Sequence, residues 1–171
     1  VSLRLPIFFG AHEHTGRLAF YIRRIMDGGP VILVDKGLNR VQAVWTEDLA
    51  KAMVKWMGVA SERPVWEALP AKSVTVREFL SYIARHLRRK SEFTGISRGE
   101  LGRYFPEYLA NEPLWRERYI RPTGNNLFSA APLVPTAAGV WLGEIIGLQK
   151  GAGDRELRAK EKAFLKGRRD A

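Results

Sequence analysis

Short apolar runs alternate with segments of helical periodicity along most of the chain. The run 31–34 (VILV) is continuously apolar, whereas 15–29 and 46–57 place their apolar residues at three- and four-residue spacing. This alternation is typical of α/β folds, in which helices cover a sheet. The sequence therefore predicts an α/β fold with few strands and about five or six helices.

Three stretches have the composition of β-strands. Val1–Phe9 is rich in β-branched and aromatic residues, and Pro6 within it indicates an edge or the end of a strand. The runs 31–34 and 40–45 flank a turn and could either pair as a hairpin or join separate sheets. A further strand is predicted over 64–69.

Helix starts are marked by side chains that can cap them. Thr15 and Thr46 are candidate N-caps, and Thr75 with Glu78 fits a capping box at the start of a third helix. Further helices are predicted around 97–108 and over 135–148, the latter with Pro135 near its first position.

The C-terminal segment is dominated by charged residues. Lys150–Ala171 contains eight Lys and Arg against four Asp and Glu, which predicts a solvated helix or tail. We therefore divide the chain into 1–149 and a charged helix or tail at 150–171.

The overall composition indicates a folded basic protein. The 171 residues carry 28 Lys and Arg against 18 Asp and Glu, a net charge of +10, and 46% are hydrophobic. The absence of cysteine excludes disulfides and thiolate chemistry. No secretory signal or membrane span is expected, and a cytoplasmic location is the default. An excess of Arg over Lys would suit a thermophile.

Several catalytic and phosphate-binding motifs are missing from this sequence. It contains no G-x-G-x-x-G, no G-x-x-x-x-G-K, no Tyr with a Lys four positions later and no G-x-S-x-G. A self-contained nucleotide-dependent or hydrolytic enzyme is therefore disfavoured.

Two local clusters allow a different function. His12-Glu13-His14 lies in a glycine-flanked segment, but a metal site needs at least one further ligand, so an exposed polar loop is the favoured interpretation. Arg88-Arg89-Lys90 and the basic tail could bind nucleic acid or another polyanion, although no aromatic stacking platform accompanies them.

A set of ordered segments resembles the second half of the extended short-chain dehydrogenase/reductase family, the NAD-dependent epimerases and dehydratases. The resemblance covers about Val1 to Leu87, and Arg121-Pro122-Thr123-Gly124-Asn125 is similar to a late segment of sugar-nucleotide epimerases. The segments that carry it are Ser2–His12, Gly28–Val31, Asn39-Arg40, Glu47–Ala52 and Val74–Phe79.

The resemblance implies a set of binding residues. Phe9, His12 and His14 would lie near the nicotinamide and the substrate, and Arg40 and Arg121 would face a substrate phosphate, which a guanidinium fork binds in bidentate fashion. The cofactor-binding residues that the resemblance implies are Pro6 and Phe8. Ile7 stands where many sugar-nucleotide members have an Asn that binds the substrate.

The resemblance also implies what this chain lacks. The family's glycine-rich loop and its catalytic Tyr and Lys belong upstream of Val1, so no catalytic residue is assigned. The chain alone is expected to have no catalytic activity. It would be the substrate-recognition portion, as a fragment or a truncated relative. The implied cofactor is NAD or NADP. The implied partners are a small-molecule substrate such as a sugar nucleotide, a dinucleotide-binding half in the same or another chain, and a second copy of the chain in a homodimer. A structural subunit that docks on a separate dinucleotide-binding chain is an alternative.

Overall fold

The structure is a mixed assembly of short strands and longer helices. The computed structural model describes residues 2–10, 15–58, 65–70, 72–110, 124–148 and 155–169. The described strands are β1 (Ser2–Arg4), β2 (Ile7–Phe9), β3 (Val31–Val34), β4 (Arg40–Val41), β5 (Ala43–Trp45), β6 (Val65–Glu67), β7 (Val74–Thr75) and β8 (Phe93–Ile96). The described helices are α1 (Arg17–Met26), α2 (Thr46–Trp56), α3 (Val76–His86), α4 (Arg98–Tyr104), α5 (Glu107–Ala110), α6 (Leu127–Ala130), α7 (Ala138–Leu148) and α8 (Arg155–Arg169).

The first apolar run forms two strands instead of the single strand expected over Val1–Phe9. The strands β1 and β2 are separated by Leu5 and Pro6, and each has a different parallel partner, β6 for β1 and β5 for β2. Proline has no N–H to donate to a ladder, so the hydrogen-bonded pairing changes at this point. The break lets one apolar run contribute to two separate pairs of strands.

The remaining described strands settle the alternative left open for 31–34 and 40–45. The strand β3 pairs in parallel with β8, while β4 pairs antiparallel with β7. The two runs therefore join separate sheets instead of forming a hairpin with each other. Among the described residues each sheet has two strands.

The capping box at α3 is confirmed. The Thr75 hydroxyl accepts from the Glu78 backbone N–H at 3.1 Å, and the Glu78 carboxylate accepts from the Thr75 backbone N–H at 2.7 Å. A second capping box, between Ser97 and Glu100, starts α4. The helix expected around 97–108 is divided into α4 and α5.

The two other threonine caps were wrong. The N-cap of α1 is Gly16, which has a φ of 63°, a conformation that glycine adopts without a Cβ clash. The N-cap of α2 is Trp45, and the Thr46 hydroxyl instead donates to the Phe9 carbonyl at 2.7 Å. At this position a contact between distant segments replaced the local cap.

The main core lies between α1, α3 and the strand β3. All four residues of β3 are buried, as expected for a strand covered on both faces. Ile25 of α1 and Leu80 of α3 are fully buried in the same cluster. Helices α7 and α8 add further apolar side chains to it.

The helix α8 packs against this core, whereas the charged segment was expected to be solvated. Leu157 and Leu165 are buried, and Glu161 is 0% exposed. The Glu161 carboxylate accepts from Arg24 Nε at 3.0 Å, from the Tyr108 hydroxyl at 2.8 Å and from Arg158 Nη1 at 2.8 Å. Charged residues on one face of α8 thus form a buried network, which charge counting along the sequence could not reveal.

Candidate functional site

A cavity of about 380 Å³ opens beside the C-terminal end of β2. Phe9, the last residue of β2, is 3% exposed and forms part of its wall. The other walls come from β5, the first turn of α2, α3, the start of α7 and residues 128–136. Elements that are far apart in sequence therefore meet at one concave surface, the usual form of a small-molecule site.

A close backbone contact holds β2 against the start of α2. The Thr46 hydroxyl donates to the Phe9 carbonyl, and a Cβ placed on Gly10 would overlap Oγ1 and Cβ of Thr46. Only glycine fits at this position unless Thr46 moves. This contact fixes Phe9 relative to the cavity wall that β5 and α2 provide.

Two aromatic pairs form much of the cavity wall. The Phe9 and Phe79 rings are stacked with centroids 5.8 Å apart, and the Trp45 and Trp141 rings are stacked at 6.1 Å. Such pairs are worth about 1 kcal/mol beyond their area burial. They connect β2 to α3 and β5 to α7, and so stabilise the cavity as well as lining it.

One polar pair also lies in the cavity wall. The carboxylate of Asp48, which is 6% exposed, accepts from the Thr136 backbone N–H at 2.8 Å and from the Thr136 hydroxyl at 2.6 Å. Asp48 lies in the first turn of α2, where the helix macrodipole favours negative charge. The pair joins α2 to the segment that precedes α7.

Of the described site residues that the resemblance implied, the structure places Phe9 at the cavity and the others away from it. Phe9 lines the cavity. Arg40 is exposed and donates from Nε to the Ser73 hydroxyl and from Nη2 to the Ser73 carbonyl, each at 2.8 Å, and it is not among the lining residues. Phe8 is 46% exposed on the other side of β2 from Phe9, because side chains alternate along a strand. Pro6 is half-buried between β1 and β2.

Three of the expected site residues lie outside the described residues: His12, His14 and Arg121. In the described part of the chain, no group of three His, Asp or Glu residues could hold a metal ion.

Sequence reasoning missed most of the cavity wall. Trp141 and Phe79 lie in two of the predicted helices, but a helix prediction does not say which elements their side chains contact. The Asp48 to Thr136 bond joins residues 88 positions apart, and no local pattern signals it. The position of Asp48 in the acidic first turn of α2 indicates a helix start and does not indicate a contact with Thr136.

The basic residues fall into two groups. Arg158 and Lys162 of α8 pair with Asp27, Lys160 pairs with Glu107, and Arg168 pairs with Glu100. In contrast, Arg88-Arg89-Lys90 after α3 are exposed. Part of the charge expected to serve a polyanion thus stabilises the attachment of α8.

The sequence matches no family model and no curated protein. Solved structures do match its fold. A dTDP-glucose 4,6-dehydratase from Streptomyces venezuelae, DesIV, solved with NAD, aligns with 85% of this chain and 42% of its own at 15% identity and a TM-score of 0.54.

Two further structures match similarly. RMD from Pseudomonas aeruginosa, complexed with NADPH, is 11% identical with a TM-score of 0.56, over 87% of this chain and 47% of its own. WbmH from Bordetella bronchiseptica, complexed with NAD⁺, is 14% identical with a TM-score of 0.56, over 88% and 45%.

The chain has the fold of part of these enzymes. It spans less than half of their length, and the neighbours include extended short-chain dehydrogenase/reductase enzymes, as the sequence resemblance implied. At these identities the likeness establishes a shared fold. Among the described helices, none is both long and apolar enough to cross a bilayer.

Proposed function

We propose that this chain is the substrate-binding portion of an NAD(P)-dependent epimerase, dehydratase or reductase, and that catalysis needs a dinucleotide-binding half. The observation that carries the proposal is the fold likeness to NAD- and NADPH-bound enzymes over 85–88% of this chain but only 42–47% of theirs. The cavity beside Phe9 supports it, since the sequence resemblance places substrate at this end of β2.

Exposed apolar side chains next to β2 give further support. Leu5 is 39% exposed and Phe8 is 46% exposed, although both lie in the apolar run that contributes Ile7 and Phe9 to the core. Apolar residues clustered in this way often mark a surface that another domain covers. We propose that the dinucleotide-binding half packs here.

The residues of this chain fit only part of a dinucleotide. The resemblance implies Pro6 and Phe8 as cofactor contacts, but Phe8 lies on the face of β2 away from the cavity, and the glycine-rich turn that cradles a pyrophosphate is absent from the sequence. When bound, NAD or NADP would supply hydride transfer. The role of this chain would be to bind and orient the substrate beside it.

Titration of the 171-residue chain with NAD⁺ and NADH in a calorimeter tests whether cofactor binding needs the dinucleotide-binding half. We expect no saturable binding at concentrations up to about 1 mM, because the phosphates have no cradle here. Micromolar affinity of this chain alone would contradict the proposal.

Polyanion binding is the second candidate function, and the exposed Arg88-Arg89-Lys90 cluster favours it. Phosphate contacts release counterions, so such binding would weaken steeply with added salt. Binding to duplex DNA that is abolished by Arg88→Ser, Arg89→Ser and Lys90→Ser together would support it over the first proposal. A control with the exposed Lys51→Ser and Lys55→Ser, on α2, should leave that binding unchanged.

A further inference from the structure

The cavity beside Phe9 has an almost wholly apolar wall. Besides the two aromatic pairs, Phe128, Leu133 and Pro70 line it. Its volume of about 380 Å³ lies at the lower end of the range for pockets that enclose small organic ligands. An apolar ligand of one or two rings would therefore find contact on most of its surface.

The charges around the cavity disfavour a phosphate. Among its described lining residues Asp48 is the ionisable one, and no Lys, Arg or His lines it. Arg40, implied as a phosphate ligand by the resemblance, instead binds Ser73 through Nε and Nη2. A diphosphate brought next to Asp48 would meet a like charge, and the described lining residues offer no compensating cation.

The polar groups of the cavity are also poorly suited to a sugar. A hexose ring carries several hydroxyl groups, and each needs a hydrogen-bond partner once it leaves water. Asp48 and Thr136 already bond to each other through both carboxylate oxygens. The pair leaves few side-chain hydrogen-bonding groups among the described lining residues for the remaining hydroxyls of a sugar.

We propose that the cavity binds an uncharged, largely apolar cyclic group, so that the substrate is a hydrophobic carbonyl or hydroxyl compound and not a sugar nucleotide. The inference rests on the proposed function, since it names the substrate class of the same site. It does not depend on the dinucleotide-binding half being present, because every wall it uses belongs to this chain.

Equilibrium dialysis of the full chain with three probes tests this substrate class. Methyl naphthyl ketone is neutral and apolar, naphthoate has the same rings with a negative charge, and UDP-glucose is a sugar nucleotide. We expect the ketone to bind at least about tenfold more tightly than naphthoate, because Asp48 repels the anion. UDP-glucose should show no saturable binding.

Three substitutions test where the ketone binds and whether the charge of Asp48 selects against an anion. Phe79→Ala removes one wall and should weaken ketone binding by at least about fivefold, while Phe164→Ala, at a partly buried phenylalanine of α8 away from the cavity, should leave it unchanged. Asp48→Asn removes the charge at nearly constant shape and should bring the affinities of the ketone and naphthoate closer together. Circular dichroism checks that each variant is folded.

The ranking of the three probes on the unsubstituted chain decides the matter even if a variant does not fold. Tighter binding of naphthoate or UDP-glucose, no binding of the ketone, or ketone binding that Phe79→Ala leaves unchanged would overturn the inference. Selective ketone binding would support it even if NAD⁺ also bound this chain, an outcome that would contradict only the proposed function.

Discussion

Glu161 shows how much of this fold depends on single charged residues. Its buried carboxylate accepts hydrogen bonds from Arg24, Tyr108 and Arg158, which belong to α1, α5 and α8. Burial, together with the negative charge of Glu161, raises the pKa of Tyr108, so this hydroxyl remains a donor. Breaking a buried ion pair by removing one partner typically costs about 3–5 kcal/mol, because the other charge is left without compensation.

Asp27, at the end of α1, extends this network towards the solvent and makes it sensitive to acid. Its carboxylate accepts from Arg158 Nε at 2.8 Å and Nη2 at 2.7 Å, and from the Gly29 backbone N–H at 2.9 Å. The hydrogen bonds from Arg158 hold the pKa of Asp27 well below its ordinary value, against the opposing effect of burial. Protonation therefore favours the unfolded chain, in which the pKa is not lowered.

We predict that Asp27→Asn reduces the acid sensitivity of folding. In the unsubstituted chain the contribution of Asp27 is fully present above its unfolded pKa of about 3.9 and is lost as the pH falls below that value. Urea unfolding measured between neutral pH and acid should give a shallower loss of stability in the variant. Parallel pH curves for the two proteins would contradict this role of Asp27.

At the scale of elements, the site depends on how β2 meets α2. The Thr46 hydroxyl bonds to the Phe9 carbonyl instead of capping its own helix, and Gly10 leaves no space for a side chain at that contact. The contact between the Thr46 side chain and the backbone at Phe9 and Gly10 thus fixes the strand end relative to the helix start. The cavity wall formed by Phe9 and Trp45 follows from it.

We predict that Gly10→Ala lowers the free energy of unfolding by about 2 kcal/mol, because the new Cβ overlaps Thr46 Oγ1 and α2 must shift. Gly102→Ala is the matched control, because Gly102 lies in the helix α4 and a Cβ added there meets nothing within 4 Å. That change should stabilise the chain by about 0.5–1 kcal/mol through helix propensity. Equal effects in chemical denaturation would show that the Gly10 contact is not close.

At the scale of the whole molecule, the chain has a core of its own and an apolar surface that its core does not use. Ile7 and Phe9 of β2 belong to the main core, whereas Phe8 between them is 46% exposed. Alternation along a strand explains why neighbours differ, but does not explain a large apolar residue on the outer face. A second domain packed against β2 would explain it.

We predict that Phe8→Ser changes the free energy of unfolding of this chain by no more than about 1 kcal/mol, because the ring is only half-buried. Phe9→Ser, one position further along β2, should cost about 4 kcal/mol. Thermal or urea unfolding of both variants measures the contrast. If Phe8→Ser costs as much as Phe9→Ser, Phe8 belongs to the core of this chain and the proposed docking surface loses its support.

Features that depend on neighbours in sequence could be predicted from the sequence. The Thr75–Glu78 capping box, the apolar stripe of α3 and the buried run Val31–Val34 all follow from contacts within a few residues, so local pattern was sufficient. The alternation of short apolar runs with segments of helical periodicity predicted the α/β fold class in the same way.

Only the tertiary structure decided how those segments meet. It divided Ser2–Phe9 between two sheets, gave Thr46 a contact with β2 in place of the expected cap, and packed the charged α8 against Arg24. It also joined Arg40 to Ser73 and Asp48 to Thr136, and it brought side chains of β2, β5, α3 and α7 around one cavity. These outcomes depend on hydrogen bonds and packing between residues far apart in sequence. Such contacts cannot be recognised from the spacing of residues within one segment.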